Sequence, residues 1–220
     1  MTRWVAPLLV LLAAAASAGA EVESAAGPSA APGREPGRES GREPGREPGR
    51  EPGREPGREP GAELGGDFQL TDHRGQPFDS RQLRGRVALI FFGYTACPDV
   101  CPTELLRLRG VLEQLGERSA RVQPLFVSVD PQRDSPEQLA RYVNWFDPRI
   151  IGLTGSEAEL RAVTARFNAS FRLNAESESS YTVDHSANLF VLDPAGELAT
   201  IVPYGLPPEH IVAVVRALLD

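Results

Sequence analysis

The chain contains no lysine: all 23 of its basic residues are Arg, set against 30 acidic ones. The exclusive use of Arg reads as a composition bias without mechanistic meaning. The charge balance carries more information. A formal net charge of −7 argues against nucleic acid or an anionic membrane surface as partner. Cysteine is almost as scarce, with only Cys97 and Cys101. An iron–sulfur cluster needs about four thiolates, so clusters are excluded. No cysteine lies near the amino terminus, which excludes a lipid anchor through cysteine. Long apolar runs are absent too. The run near the start of the chain is about a dozen residues, short of the ~20 that span a bilayer.

What is present divides the chain in three. Residues 1–20 read as a secretory signal, with Arg3 as the positive region, Pro7 to Ala16 as the apolar core and Ala18-Gly19-Ala20 as the cleavage site. An uncleaved anchor is the alternative. Residues 21–66 read as a linker. From Gly33 to Pro60 a Gly-Arg-Glu-Pro unit recurs seven times, with Ser40 in place of one Pro. Pro in nearly every unit and no apolar side chain to bury deny it both helix and packed strand. Such a tether has an r.m.s. span of roughly 35–40 Å, and it serves either as a reach toward a partner or as a neutral spacer. The expectation is an exported protein, periplasmic or envelope-associated, with any membrane attachment through its amino terminus alone.

Residues 67–220 have globular composition. A hairpin is predicted over Asp67 to Phe78, turning at Asp72-His-Arg-Gly75. Val87 to Phe92 is a continuous apolar run, as in a strand buried on both faces. Leu105, Leu108, Val111, Leu112 and Leu115 then fall at helical spacing. Val122 to Val129 reads as a second buried strand, Asp134 to Phe146 as a helix, Ile150 to Leu153 as a strand, and a third helix follows Ser156. A strand pair, Asn188–Leu192 and Leu198–Val202, and a last helix from Pro208 complete the chain. Strands alternating with helices and closed by a hairpin predict an α/β domain with a mixed central sheet, in the element order of a thioredoxin fold.

The stretch Gly93-Tyr-Thr-Ala-Cys-Pro-Asp-Val-Cys-Pro102 follows the first central strand, at the sheet end where open α/β folds place ligands. Pro102 fits the first position of a helix, with Cys101 as its N-cap. Free N–H groups and the helix dipole there favour thiolate over thiol. Three intervening residues let the sulfurs join in a disulfide or hold one soft ion. Tetrahedral structural zinc needs two more ligands, whereas copper is served by two sulfurs and one imidazole. An inert disulfide staple is the plain alternative, although two prolines and a helix start crowd the pair. Of the three histidines, His73 falls in a turn and His210 at a helix start. His185 precedes a strand, in the loop that a thioredoxin fold packs beside its cysteine turn. Asp184 or Ser186 could orient its ring, and Asp99 between the thiols is a further supporting carboxylate.

The motifs Phe91-Phe-Gly-Tyr-Thr-Ala-Cys-Pro-Asp-Val-Cys-Pro102, Val127-Ser-Val-Asp-Pro-Gln-Arg-Asp-Ser-Pro136 and Val183-Asp-His-Ser186, in that order, resemble those of the Sco/SenC family of copper chaperones. The resemblance covers about Asp67 to Asp220. It implies a thioredoxin-like domain binding copper, as Cu(I) and also Cu(II), through Cys97, Cys101 and His185. The implied task is to deliver copper to the dinuclear copper centre of cytochrome c oxidase, or to reduce the cysteines that receive it. Ala96 departs from the family at a non-ligand position, and a short leader with a repeat tract stands where many members carry an anchor. Two rivals are an extracytoplasmic thiol–disulfide oxidoreductase, with Cys97 attacking and Cys101 resolving, and a peroxidase of the peroxiredoxin kind. The peroxidase ranks low because its Thr belongs three residues before the reactive Cys, and Thr95 lies two before Cys97.

Overall fold

In a computed structural model of the chain, the described residues are 64–220 apart from 176, 178 and 179. The leader and the repeat tract lie outside the described residues. Among the described residues, nine strands and four α-helices run in the order β1 (Gln69–Asp72), β2 (Pro77–Asp79), β3 (Val87–Gly93), α1 (Val100–Leu115), β4 (Val122–Ser128), α2 (Pro136–Phe146), β5 (Ile151–Thr154), α3 (Glu157–Arg166), β6 (Phe171–Ala175), β7 (Tyr181–His185), β8 (Leu189–Leu192), β9 (Leu198–Val202) and α4 (Pro208–Leu219).

Seven strands form one sheet in the order β2-β1-β5-β4-β3-β8-β9. Strands β3, β4 and β5 are parallel, and β1, β2, β8 and β9 extend them antiparallel. The mixed α/β sheet of the sequence reading is therefore present. Every residue of β3 and of β4 is buried, which is why both read as unbroken apolar runs. Pro124 is tolerated in β4 because the pairing with β5 starts only at Leu125, so its missing N–H costs no ladder bond on that side.

Local chemistry fixes the helix ends. Ser135 accepts the Gln138 N–H and Pro136 opens α2, while Ser156 and Glu159 form a reciprocal capping box on α3. Each such cap is worth about 1 kcal/mol. Helix α1 buries Leu105, Leu108, Val111, Leu112 and Leu115 and stops at Gly116, whose φ of 56° suits a residue without a Cβ. In the core the rings of Phe92, Phe167 and Phe190 meet pairwise at 5.5–5.9 Å between centroids.

Two features differ from the sequence reading. Helix α1 begins at Val100 with Asp99 as N-cap, so Cys101 and Pro102 are its second and third residues. Pro fits there because the first N–H groups of a helix have no partner within it. The reading also places Tyr181 to Ser186 in a loop. The structure makes it β7, paired with β6 in a separate two-stranded ribbon, and His185 is the last residue of that strand.

Phe167→Ala is expected to lower stability by about 3–5 kcal/mol, the usual cost of emptying a buried aromatic site. Urea unfolding followed by circular dichroism checks it.

Candidate metal centre

Strands β3 and β4 end side by side, with the Val129 N–H donating to the Gly93 carbonyl at 2.8 Å. The chain leaving β3 loops through residues 94–99 into α1, and the Cys97 N–H donates back to the Tyr94 carbonyl. This turn puts Cys97 half-buried at the rim and Cys101 fully buried beneath it. Gly93 is what lets Cys101 sit there. A Cβ at residue 93 would lie 2.7 Å from the Cys101 sulfur and 2.8 Å from the Phe126 ring. A glycine closing a buried strand marks such close approach.

The imidazole arrives from the ribbon. Its Nε2 lies 3.5 Å from the Cys101 sulfur, and its Nδ1 lies 3.2 Å from the Ser186 backbone carbonyl. A carbonyl can only accept, so this contact puts a proton on Nδ1; when the ring is neutral, Nε2 then carries the lone pair that faces the sulfurs. The rings of Phe91 and Tyr94 meet the imidazole edge to face at 5.9 and 5.8 Å. Among the described residues, Cys97, Cys101 and His185 are the group of Cys, His and acidic side chains able to hold a metal ion, their ligand atoms all within 4.8 Å of one another. Two sulfurs and one imidazole nitrogen converging this closely fit a soft ion and fall short of a tetrahedral zinc set.

The expected supporting carboxylates act differently. Asp184 precedes His185 in β7 and so alternates to the opposite side; it is exposed and faces Arg172 across the ladder. The ring is held by the Ser186 carbonyl instead. Asp99 makes no side-chain cap bond, and it contributes through its backbone N–H to the Cys97 sulfur. Of the other two histidines, His73 has a structural task, its Nδ1 accepting the Gly152 N–H at 2.9 Å, and His210 sits exposed in the first turn of α4.

The two cysteines are free thiols here, so the geometry is that of the reduced pair. They divide the chemistry between them. The Cys97 thiol is held down to about 4, first by the hydrogen bond from Cys101, then by the N–H groups of residues 99 and 101 and by His185. Cys101 is pushed upward, first because it donates to Cys97 and next by burial. One thiolate at the rim and one thiol below it is the resting arrangement.

The loop after β4 supplies residues that sequence reasoning missed. Asp134 is fully buried and accepts from the Thr95 N–H at 3.0 Å, the Thr95 hydroxyl at 2.6 Å and the Ser128 hydroxyl at 2.6 Å. Burial pushes its carboxyl up, and these donors offset that. Thr95 is thus committed to bracing the cysteine loop. Asp130, equally buried, accepts from the Tyr181 hydroxyl at 2.6 Å and from the Arg133 guanidinium. The signal available in the sequence was two Asp and an Arg directly after an apolar strand, at the ligand end of the sheet.

Fold and site together define a thioredoxin-like protein whose strand-to-helix turn carries two thiols, with an imidazole set against them. A family model described as SCO1/SenC matches residues 56–220. The chain belongs to that family. A SCO2-like protein of Rickettsia felis is 39% identical over 135 residues, covering 60% of this chain and 66% of that protein, just under two thirds of it. The structure of Bradyrhizobium japonicum ScoI with copper bound superposes with a TM-score of 0.66 at 37% identity, over 71% of this chain and 99% of that one. Yeast Sco1 with copper bound gives 0.65 at 34% identity, over 70% of this chain and 87% of that one.

Two outcomes follow from the site's geometry. Alkylation of the reduced metal-free chain is expected at Cys97 and not at Cys101, with a rate that stays level as pH falls from neutral and drops with a midpoint of about 4; mass spectrometry across a pH series checks both. Gly93→Ala is expected to cost roughly 1–3 kcal/mol, as overpacking does, and to displace the Cys101 sulfur, read by urea unfolding and by a changed alkylation pattern.

Proposed function

We propose that this protein is a copper chaperone whose cargo is one copper ion held by the sulfurs of Cys97 and Cys101 and the Nε2 of His185. The observation that carries the reading is the convergence of these three donor atoms within 4.8 Å at the end of the sheet. Family membership and the copper bound in the Bradyrhizobium and yeast relatives support copper as the ion. Thiolate ligands suit Cu(I), and the imidazole keeps Cu(II) within reach.

The arrangement suits release as well as capture. Cys101 is buried and Cys97 stands at the rim, so a recipient's thiol can replace Cys97 first while Cys101 and His185 still hold the ion. An open groove of about 640 Å³ lies on the ribbon side of the site, lined by Arg161, Phe171, Arg172, Leu173, Asp184 and His185. It gives a partner access to the imidazole edge. The recipient that family membership suggests is the copper subunit of cytochrome c oxidase. The leader and repeat tract then act as an export signal and a tether that place the domain outside the cytoplasm. Among the described residues no helix is long and apolar enough to cross a membrane.

A second reading rests on the division between the thiols. Cys97 as a half-exposed thiolate and Cys101 as a protected thiol are the attacking and resolving partners of a dithiol reductant. In that role the reduced pair gives two electrons to a partner disulfide, the partner gains two thiols, and Cys97 and Cys101 become the disulfide. The two roles are compatible, since a recipient binds copper only with its cysteines reduced.

The reduced chain is expected to bind one Cu(I) in competition with a chelator, and to show a sulfur-to-copper charge-transfer band with Cu(II). Cys97→Ser is expected to abolish the band. His185→Ala is expected to weaken binding by more than the ~10–100-fold that loss of an outer support costs. No copper uptake by the reduced chain would refute the chaperone reading; full activity of His185→Ala in restoring oxidase assembly would favour the reductant.

A further inference from the structure

The ribbon of β6 and β7 stands outside the seven-stranded sheet, so no ladder hydrogen bond to that sheet fixes where its last residue points. His185 is that residue. Tyr181, at the other end of β7, lies about 13 Å away at the usual rise per strand residue. What ties down the Tyr181 end is a clamp built on the loop after β4. The Arg133 Nη1 donates to the Tyr181 carbonyl at 3.0 Å, and its guanidinium lies over the Tyr181 ring at 3.8 Å. The Arg133 Nε donates to Asp130, and the Tyr181 hydroxyl donates to the other oxygen of the same carboxylate at 2.6 Å.

The clamp also reaches the thiol side. The Arg133 guanidinium lies 5.5 Å from the centre of the Tyr94 ring, the ring that meets the imidazole edge to face. The Nη2 of Arg133 is buried without a hydrogen-bond partner, and the Tyr181 and Tyr94 rings stand beside the cation in addition to its hydrogen bonds. Asp130 is itself held by its N–H on the Ser128 hydroxyl, which also donates to Asp134. The imidazole and the cysteine loop are thus registered to one and the same turn of chain.

We infer that Arg133 is the positioning residue for His185: by pinning Tyr181 to Asp130 it sets the ribbon so that the imidazole meets the sulfurs. The copper arm of this inference rests on the chaperone reading above; the placement of the ring does not. Lys cannot replace Arg here. Its single ammonium cannot donate in a fork to Asp130 and to the Tyr181 carbonyl while lying flat on a ring.

The test uses the full reduced chain and its Arg133→Lys variant. In the metal-free protein, nuclear Overhauser effects between the His185 imidazole and the Tyr94 ring are expected in the wild type and lost in Arg133→Lys. With Cu(I) as probe, the variant is expected to bind about 10–100-fold more weakly, approaching His185→Ala, while Cys97 still alkylates as in the wild type. Retained ring-to-ring effects in a folded Arg133→Lys protein would overturn the inference, as would unchanged copper affinity. Loss of those effects together with a His185→Ala variant that binds copper as the wild type does would leave the positioning intact and sink the metal reading. If Arg133→Lys does not fold, Tyr181→Phe removes only the hydroxyl on Asp130. It is expected to weaken the same effects, and no change in them counts against the clamp.

Discussion

A carboxylate taken out of water has to be met by donors, and this domain buries two of them within one turn of chain. Asp130 and Asp134 are both at most 1% exposed, and apart from Ser128 at the end of β4 the side chains that meet them belong to the site. Asp134 is met by Thr95 in the cysteine loop, and Asp130 by Tyr181 in the histidine strand and by Arg133. The sulfurs and the imidazole come from segments 84 residues apart in sequence, on elements that share no ladder. The turn after β4 is the common reference that relates them. Removing one partner from such a buried network leaves a charge or a donor unmet, which costs more than the bond itself.

The same economy shapes the thiols. Sulfurs held side by side cannot both ionise without repulsion, so one proton stays between them. Burial decides which sulfur keeps it. Cys101 is buried in the first turn of α1, with Gly93 against its sulfur, and its ionised form is the costly one. Cys97 at the rim has the N–H groups of the helix start. The loop therefore sets up a half-buried anion at the rim and a protected proton donor below it, by backbone N–H groups and burial.

Most of the sheet was legible because its central strands are covered on both faces. Val87 to Phe92 and Val122 to Val129 could be little else than buried strands, Ser135 with Pro136 marked the start of α2, and Ser156 marked the start of α3. The thiols were legible because two cysteines in an otherwise cysteine-free chain cannot hide. The ribbon was not. Phe171, Leu173, Ala175 and then Tyr181, Val183, His185 do alternate, but β6 is largely exposed and short, and a polar stretch separates it from β7. A two-stranded ribbon carries too little apolar surface to stand out from a loop. The helix start was misplaced for a related reason: Pro102 announces a first turn but fits its first three positions alike. The clamp residues were invisible as a set, since nothing in Asp130, Arg133 and Tyr181 tells that they meet until the ribbon is in place.

The histidine is where the two readings of the site part. Thiol–disulfide exchange asks for a stabilised thiolate and a resolving thiol, and the loop with its helix supplies both without help from β7. The structure nevertheless commits a good deal to the imidazole. The Ser186 carbonyl fixes its proton on the far nitrogen, Phe91 and Tyr94 flank its ring, and Arg133 with Asp130 anchors the strand that carries it. A ring placed only to stabilise the Cys97 anion would do so best as a cation, and a cation has no lone pair to turn toward the sulfurs. The Ser186 contact takes up the Nδ1 proton, so the one donor atom a neutral ring can offer is Nε2, 3.5 Å from the Cys101 sulfur. The neutral form is the one in which an imidazole serves a metal, and with Nδ1 committed to Ser186 its lone pair can only face the sulfurs.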